Sequence, residues 1–179
     1  MLTSLIVALC VLLRLVPHPA NFVPIGALAI FSGRTLKPRT AFLLVIVAMV
    51  LGDMALALTQ GYALFDKVTP FVYAGYLLQV LLGRGLRQRR GGAIMAALLG
   101  STGFFVLSNL GVWAFSGMYP LSAGGFAACF VAALPFLAGT VAGDLVWTVA
   151  LVLLYRPLAA RFKDGSAWVP VPLRELATV

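Results

Sequence analysis

Three ionisable residues stand inside long apolar runs of the sequence: Arg14, Asp53 and Asp144. An ionisable group near the centre of a membrane helix costs roughly 2.5–3.5 kcal/mol on insertion scales, so it is retained where it pairs, binds or relays a proton. One guanidinium and two carboxylates allow three roles. They can hold a polar solute, titrate with a proton or ion, or neutralise each other and lock helices together. Two intramembrane aspartates also suggest aspartyl proteolysis of the G-x-G-D kind. Val141 replaces the first glycine of that motif, and proteolysis needs the two carboxylates close enough to share a proton.

Other polar and aromatic residues fall near the same end of the apolar segments. The expected binding set is Arg14, His18, Asn21, Asp53, Asn109, Trp113, Asp144 and Trp147. The tryptophans supply flat apolar walls, and the polar groups supply orientation, the usual make-up of a small-molecule site. Each residue also has a structural reading. Arg14 can pair with Asp53 or Asp144, Trp113 can be an interfacial belt residue, His18 a loop or cap residue, and Asn109 an interhelical hydrogen bond.

The elements that position these residues are helices. Of 179 residues 62% are hydrophobic and 10% charged, against roughly 45–50% and ~25% in a soluble domain. The mean hydropathy is +1.05. These values exclude a cytosolic enzyme, a disordered chain and a disulfide scaffold, and indicate an all-α polytopic membrane bundle. The apolar segments predict helices at about Leu2–Val16, Phe22–Ser32, Thr40–Gln60, Thr69–Leu82, Ala93–Phe115 and Phe136–Tyr155. Leu121–Leu134, set off by Pro135, reads as a further short helix on the outer face. The expectation is about six transmembrane helices in one domain, residues 1–160, followed by a cytoplasmic tail at 161–179. Leu2–Val16 reads as a retained helix rather than a secretory signal: no basic residue precedes it and no small-x-small site follows.

Charge sets the expected orientation. Arg34, Lys37 and Arg39, then Arg84, Arg87, Arg89 and Arg90, then Arg156, Arg161, Lys163 and Arg174 form three clusters in alternate connections, leaving only Arg14 and Lys67 outside them. Cytoplasmic loops carry excess Lys and Arg, so both termini are expected in the cytoplasm, in a bacterial inner membrane. The net charge of +8 thus reports topology, and no nucleic-acid partner is expected. With that orientation Asp53 lies ~20 Å up its helix and Asp144 ~12 Å below the outer face, at 1.5 Å per residue. The polar inventory converges on the outer half; the inner half holds little beyond Gln79.

Gly139 and Gly143 make a G-x-x-x-G packing face. Val50–Met54 resembles Val141–Leu145 around a shared Gly-Asp, as two halves of an inverted repeat would. Cys10 and Cys129 read as small buried hydrophobes, and two Cys with one His give no metal-ligand spacing, so no metal or cofactor is expected. The sequence carries no nucleotide-binding glycine motif and no hydrolase motif, so it is read as a non-enzyme. Uphill transport would draw its energy from a partner or an ion gradient.

The run Arg14–Phe31 resembles the R-x-x-P-H-P-x-N-F-x-P-x-x-A-L-A-x-F opening of a family of small, uncharacterised bacterial integral membrane proteins. Asn109–Trp113, Ala133–Phe136 and Gly143-Asp144 resemble its later motifs. More distantly, the size, the six helices and the N-F-x-P opening resemble the substrate-binding S components of energy-coupling-factor transporters. That likeness implies outward binding of a vitamin-like or micronutrient-like solute, with separate ATPase and coupling subunits. Leu2–Val16 lacks the A-x-x-x-A face by which S components often dock the coupling subunit. The expected function is therefore uptake of a small polar solute. The alternatives are an ion- or proton-coupled carrier using Asp53 and Asp144, and a structural or assembly protein.

Overall fold

In a computed structural model, residues 2–161 are described, and they form six α-helices. They are α1 (Leu2–Leu15), α2 (Ile25–Thr35), α3 (Pro38–Gln60), α4 (Thr69–Gly85), α5 (Gly92–Phe115) and α6 (Ala123–Arg161). Among the described residues there is no strand, so the all-α expectation holds. The expected tail at 161–179 lies outside the described residues beyond Arg161.

Local chemistry sets the ends. Pro24 precedes α2 and Pro38 opens α3, where a missing N–H costs nothing in the first turn. Gly61 closes α3, and Gly91 precedes α5, both in the left-handed region that glycine enters freely. The short α2 is the hub. All of its 11 residues are buried, and it touches α3, α4, α5 and α6. A helix covered on every side needs no polar face, which fits its run of Ile, Ala, Leu and Phe. The main core gathers Ile25, Leu28, Val45, Met49, Tyr76 and Val80 from α2, α3 and α4.

The number of spans is lower than expected. Among the described residues, three helices are long and apolar enough to cross a membrane: Pro38–Gln60, Gly92–Phe115 and Ala123–Leu154. With 14, 11 and 17 residues, α1, α2 and α4 reach about 21, 17 and 26 Å, shorter than a ~30 Å hydrocarbon core, although α2 and α4 run between the same two ends of the bundle as α3 and α5.

The separate outer-face helix at Leu121–Leu134 is also corrected. It is continuous with the following helix, and α6 runs through Pro135 to Arg161. Proline removes one backbone hydrogen bond, whereas breaking the helix in an apolar setting would strand several. The longer α6 alters the depth of Asp144. Its neighbour Ser101 lies nine residues into the 24-residue α5, about 14 Å from that helix's start. Asp144 therefore sits near the middle of the bundle and not in the half expected to face outward.

Arg34 differs from a loop cation as well. It is buried, and its guanidinium donates to the Leu86 and Arg87 carbonyls at 3.1 and 3.2 Å, capping the C-terminal end of α4.

Candidate functional site

The cavity lies at the end of the bundle opposite the basic clusters of the α2–α3 and α4–α5 connections. Its larger lobe encloses ≈ 770 Å³ between the ends of α1 and α3, the 61–63 turn, α4 and α5. A smaller lobe of ≈ 360 Å³ lies between α5 and the first half of α6. Asn21, Phe104 and Ser108 line both lobes and mark where they meet.

The Arg14 guanidinium lies 2.7 Å from Asp53 Oδ1, with the two side chains 17% and 14% exposed. Tyr73 donates its hydroxyl to Asp53 Oδ2 at 2.7 Å. Arg14 and Asp53 both line the larger lobe, so its wall carries one positive and one negative group in direct contact. Of the two aspartates available to Arg14, Asp53 is the partner. Tyr62, Tyr76, Gln60 and His18 add polar tips to the same lobe. His18 is exposed, and its ring Nδ1 donates to the Pro19 carbonyl at 2.9 Å.

The 17–24 segment is held by α6. A Cβ on Gly139 would overlap the Ala20 carbonyl oxygen, and one on Gly143 would stand 3.2 Å from Phe22 Cα. The G-x-x-x-G face thus packs against a connecting strap, and the strap sets Asn21 at the junction of the lobes with φ 59°. Asn109 lines the smaller lobe, though its side-chain amide donates to the Phe105 carbonyl of its own helix at 2.8 Å.

Three residues of the expected set lie elsewhere. Trp113 donates to the Pro120 carbonyl at 3.0 Å and meets the Phe126 ring edge-on, so it fixes the α5–α6 turn. Trp147 packs on Phe22 with ring centroids 6.1 Å apart. Asp144 is 2% exposed and belongs to a separate polar node. Gln79 of α4 donates to its Oδ2 at 2.8 Å, and the Ser101 hydroxyl of α5 lies 2.7 Å from the same oxygen. The two aspartates thus have different partners, and neither is placed as one half of a proton-sharing dyad.

Tyr76 and Phe104 separate cavity and node. Their rings lie 4.6 Å apart across α4 and α5, and both line the larger lobe. Gln79 and Ser101 each lie three residues further in on the same helices, about 4.5 Å lower. The aromatic pair forms a floor with Asp144 beneath it. Tyr73, Tyr76 and Ser101 were not singled out from sequence. The recurrence of Tyr73, Tyr76 and Gln79 every three residues does place their polar tips near one helix face, and that signal was legible.

Six packed helices, three of them of membrane-crossing length and composition, make this a polytopic membrane helix bundle with a polar-lined cavity at one end. The chain belongs to the family of unknown function DUF6580, whose model matches residues 1–167. No curated protein and no solved structure matches the chain.

Proposed function

We propose that the chain is a membrane-embedded binding component for uptake of a small polar solute that enters the cavity from outside the cell. The observation that carries this reading is the ≈ 770 Å³ lobe with Arg14 and Asp53 on its wall. Pockets of roughly 300–1,000 Å³ suit small molecules of vitamin or micronutrient size. Because the two charges neutralise each other, the wall favours a solute that is neutral overall or zwitterionic. Tyr62, Tyr76, His18 and Gln60 offer hydrogen bonds and ring faces to such a solute.

The reading extends to setting and partners. The basic connections support a bacterial inner-membrane protein with both termini in the cytoplasm. The distant resemblance to S components supports a separate ATPase and coupling module as the energy source.

Thermal-shift measurements on detergent-purified protein test the proposal, using a panel of neutral and zwitterionic vitamins and cofactors. The expected result is saturable stabilisation by at least one solute, abolished by Ser108→Trp, which fills the junction of the lobes. Failure of every solute in a broad panel to stabilise the folded protein would overturn it and favour a structural or assembly role.

A further inference from the structure

The polar node beneath the cavity floor is short of donor hydrogens at two points. Ser101 Oγ lies 2.8 Å from the Ala97 carbonyl oxygen and 2.7 Å from Asp144 Oδ2, but a hydroxyl has only one proton to give. Gln79 donates an amide N–H to Asp144 Oδ2, and its Oε1 is buried without a donor in a side chain that is 0% exposed. Gln79 Oε1 and Asp144 Oδ1 crowd the same spot above Gly26. A Cβ added there would overlap Oδ1 and stand 2.7 Å from Oε1.

An ionised Asp144 leaves the Ser101 hydroxyl between two acceptors and Gln79 Oε1 without a donor. Oδ1 and Gln79 Oε1 share the space above Gly26, so a proton on Oδ1 can complete a two-point acid–amide pair with the Gln79 N–H. A proton on Oδ2 reaches Ser101 Oγ and frees that hydroxyl for Ala97. Either position relieves a contact that a carboxylate cannot.

Charge gives the same answer. The donors on Asp144, Gln79 and Ser101, are neutral, while Arg14 is paired with Asp53. Gly26 of α2 adds only backbone, and α6 itself adds Thr140 and Thr148 one turn to either side. Tyr76, a titratable group on α4, stands between the node and the Arg14–Asp53 pair. A buried carboxylate without a cation is strongly disfavoured.

We propose that Asp144 is a proton-binding site, neutral and protonated in the resting fold, held by Gln79 and Ser101 beneath the aromatic floor. The proton reaches it along α6. Thr140 lines the smaller lobe and lies one turn before Asp144 on the same face, which makes that lobe the nearer approach to the carboxyl. Loss of that proton would create a buried charge next to Tyr76 and load the floor of the cavity. The site is thereby suited to couple proton movement to occupancy above it. The assignment does not depend on any solute binding in the cavity.

Infrared difference spectroscopy on purified wild-type protein and Asp144→Asn at neutral pH and in sodium-free buffer tests it. The expected result is a protonated-carboxyl C=O band in wild type that shifts in heavy water, is lost in Asp144→Asn and persists in Asp53→Asn. Ser101→Ala is expected to shift the band without removing it, and it serves as the test if Asp144→Asn does not accumulate. A wild-type spectrum with no such band overturns the proposal. So does a band unmoved by Ser101→Ala, or carboxylate bands at Asp144 that respond to added sodium, the mark of a metal cation in place of the proton.

Discussion

Arg14 and Asp53 are both partly withdrawn from water, and each supplies the charge the other needs. Removing one partner from a buried pair leaves an uncompensated charge, which costs about 3–5 kcal/mol in a fully buried site. These side chains keep some exposure, so Arg14→Leu is expected to cost less, on the order of 1–3 kcal/mol in unfolding measurements. Arg14→Leu combined with Asp53→Leu should recover much of that loss, and a double-mutant cycle measures the coupling. Losses that simply add would show that the pair does not stabilise the bundle. Gly26→Ala is a second test at this scale, because its methyl would displace the Asp144 carboxyl. Overpacking of this kind costs roughly 1–3 kcal/mol, and a variant as stable as wild type would contradict the crowding. Much at this scale was legible in the sequence: Arg14, His18, Asn21 and Asp53 do line one lobe, and Asn109 lines the other. Asp144 was singled out, but its partners were not. Gln79 and Ser101 are ordinary polar residues of membrane helices, and only packing brings α4, α5 and α6 to one point.

The helices themselves followed from apolar runs and from proline and glycine at their ends. The ends of α3 and α5 fall within two residues of expectation because Pro38, Gly61 and Gly91 mark them. The error at Pro135 has a physical cause: a proline rule drawn from water overstates helix breaking where no solvent can take up the freed backbone groups. Pro135→Ala is expected to leave α6 continuous and raise the unfolding temperature; a lower one would mean that the proline shapes a required bend. The start of α4 carries a pH-dependent contribution. Asp66 Oδ1 accepts from the Thr69 hydroxyl at 2.8 Å and from the Thr69 and Val68 N–H groups at 2.8 and 2.9 Å. The Thr69 hydroxyl holds the exposed Asp66 carboxyl below the ordinary carboxylate range; burial opposes it, and the Thr69 and Val68 N–H groups add to the lowering. A lowered value means the stabilisation is complete above the ordinary range and is lost as pH falls through the folded-state value. Asp66→Ala should therefore lower stability slightly at neutral pH and leave it unchanged in strong acid. Equal stability of the two proteins at neutral pH would contradict that role.

At the scale of the whole molecule, α2 is the hub, α6 holds the 17–24 strap by close approach at Gly139 and Gly143, and the cavity opens where α1, α3, α4 and α5 end. Charge distribution predicted which end this would be, because the connections carrying the basic clusters lie opposite it. Reporter fusions to either terminus should be active only in the cytoplasm; an active periplasmic reporter at the C-terminus would invert the orientation. What sequence could not supply was depth. Asp144 moves to mid-bundle because α6 begins at Ala123, and a floor made by Tyr76 and Phe104 divides one expected polar cluster into a cavity and a buried node. Solute binding in the cavity is tested most directly by native mass spectrometry of the protein incubated with each stabilising or candidate solute. A one-to-one adduct of vitamin-sized mass is expected on wild type, and bare mass for Ser108→Trp. Bare wild-type protein across the whole panel, or an adduct equally retained by Ser108→Trp, would contradict it.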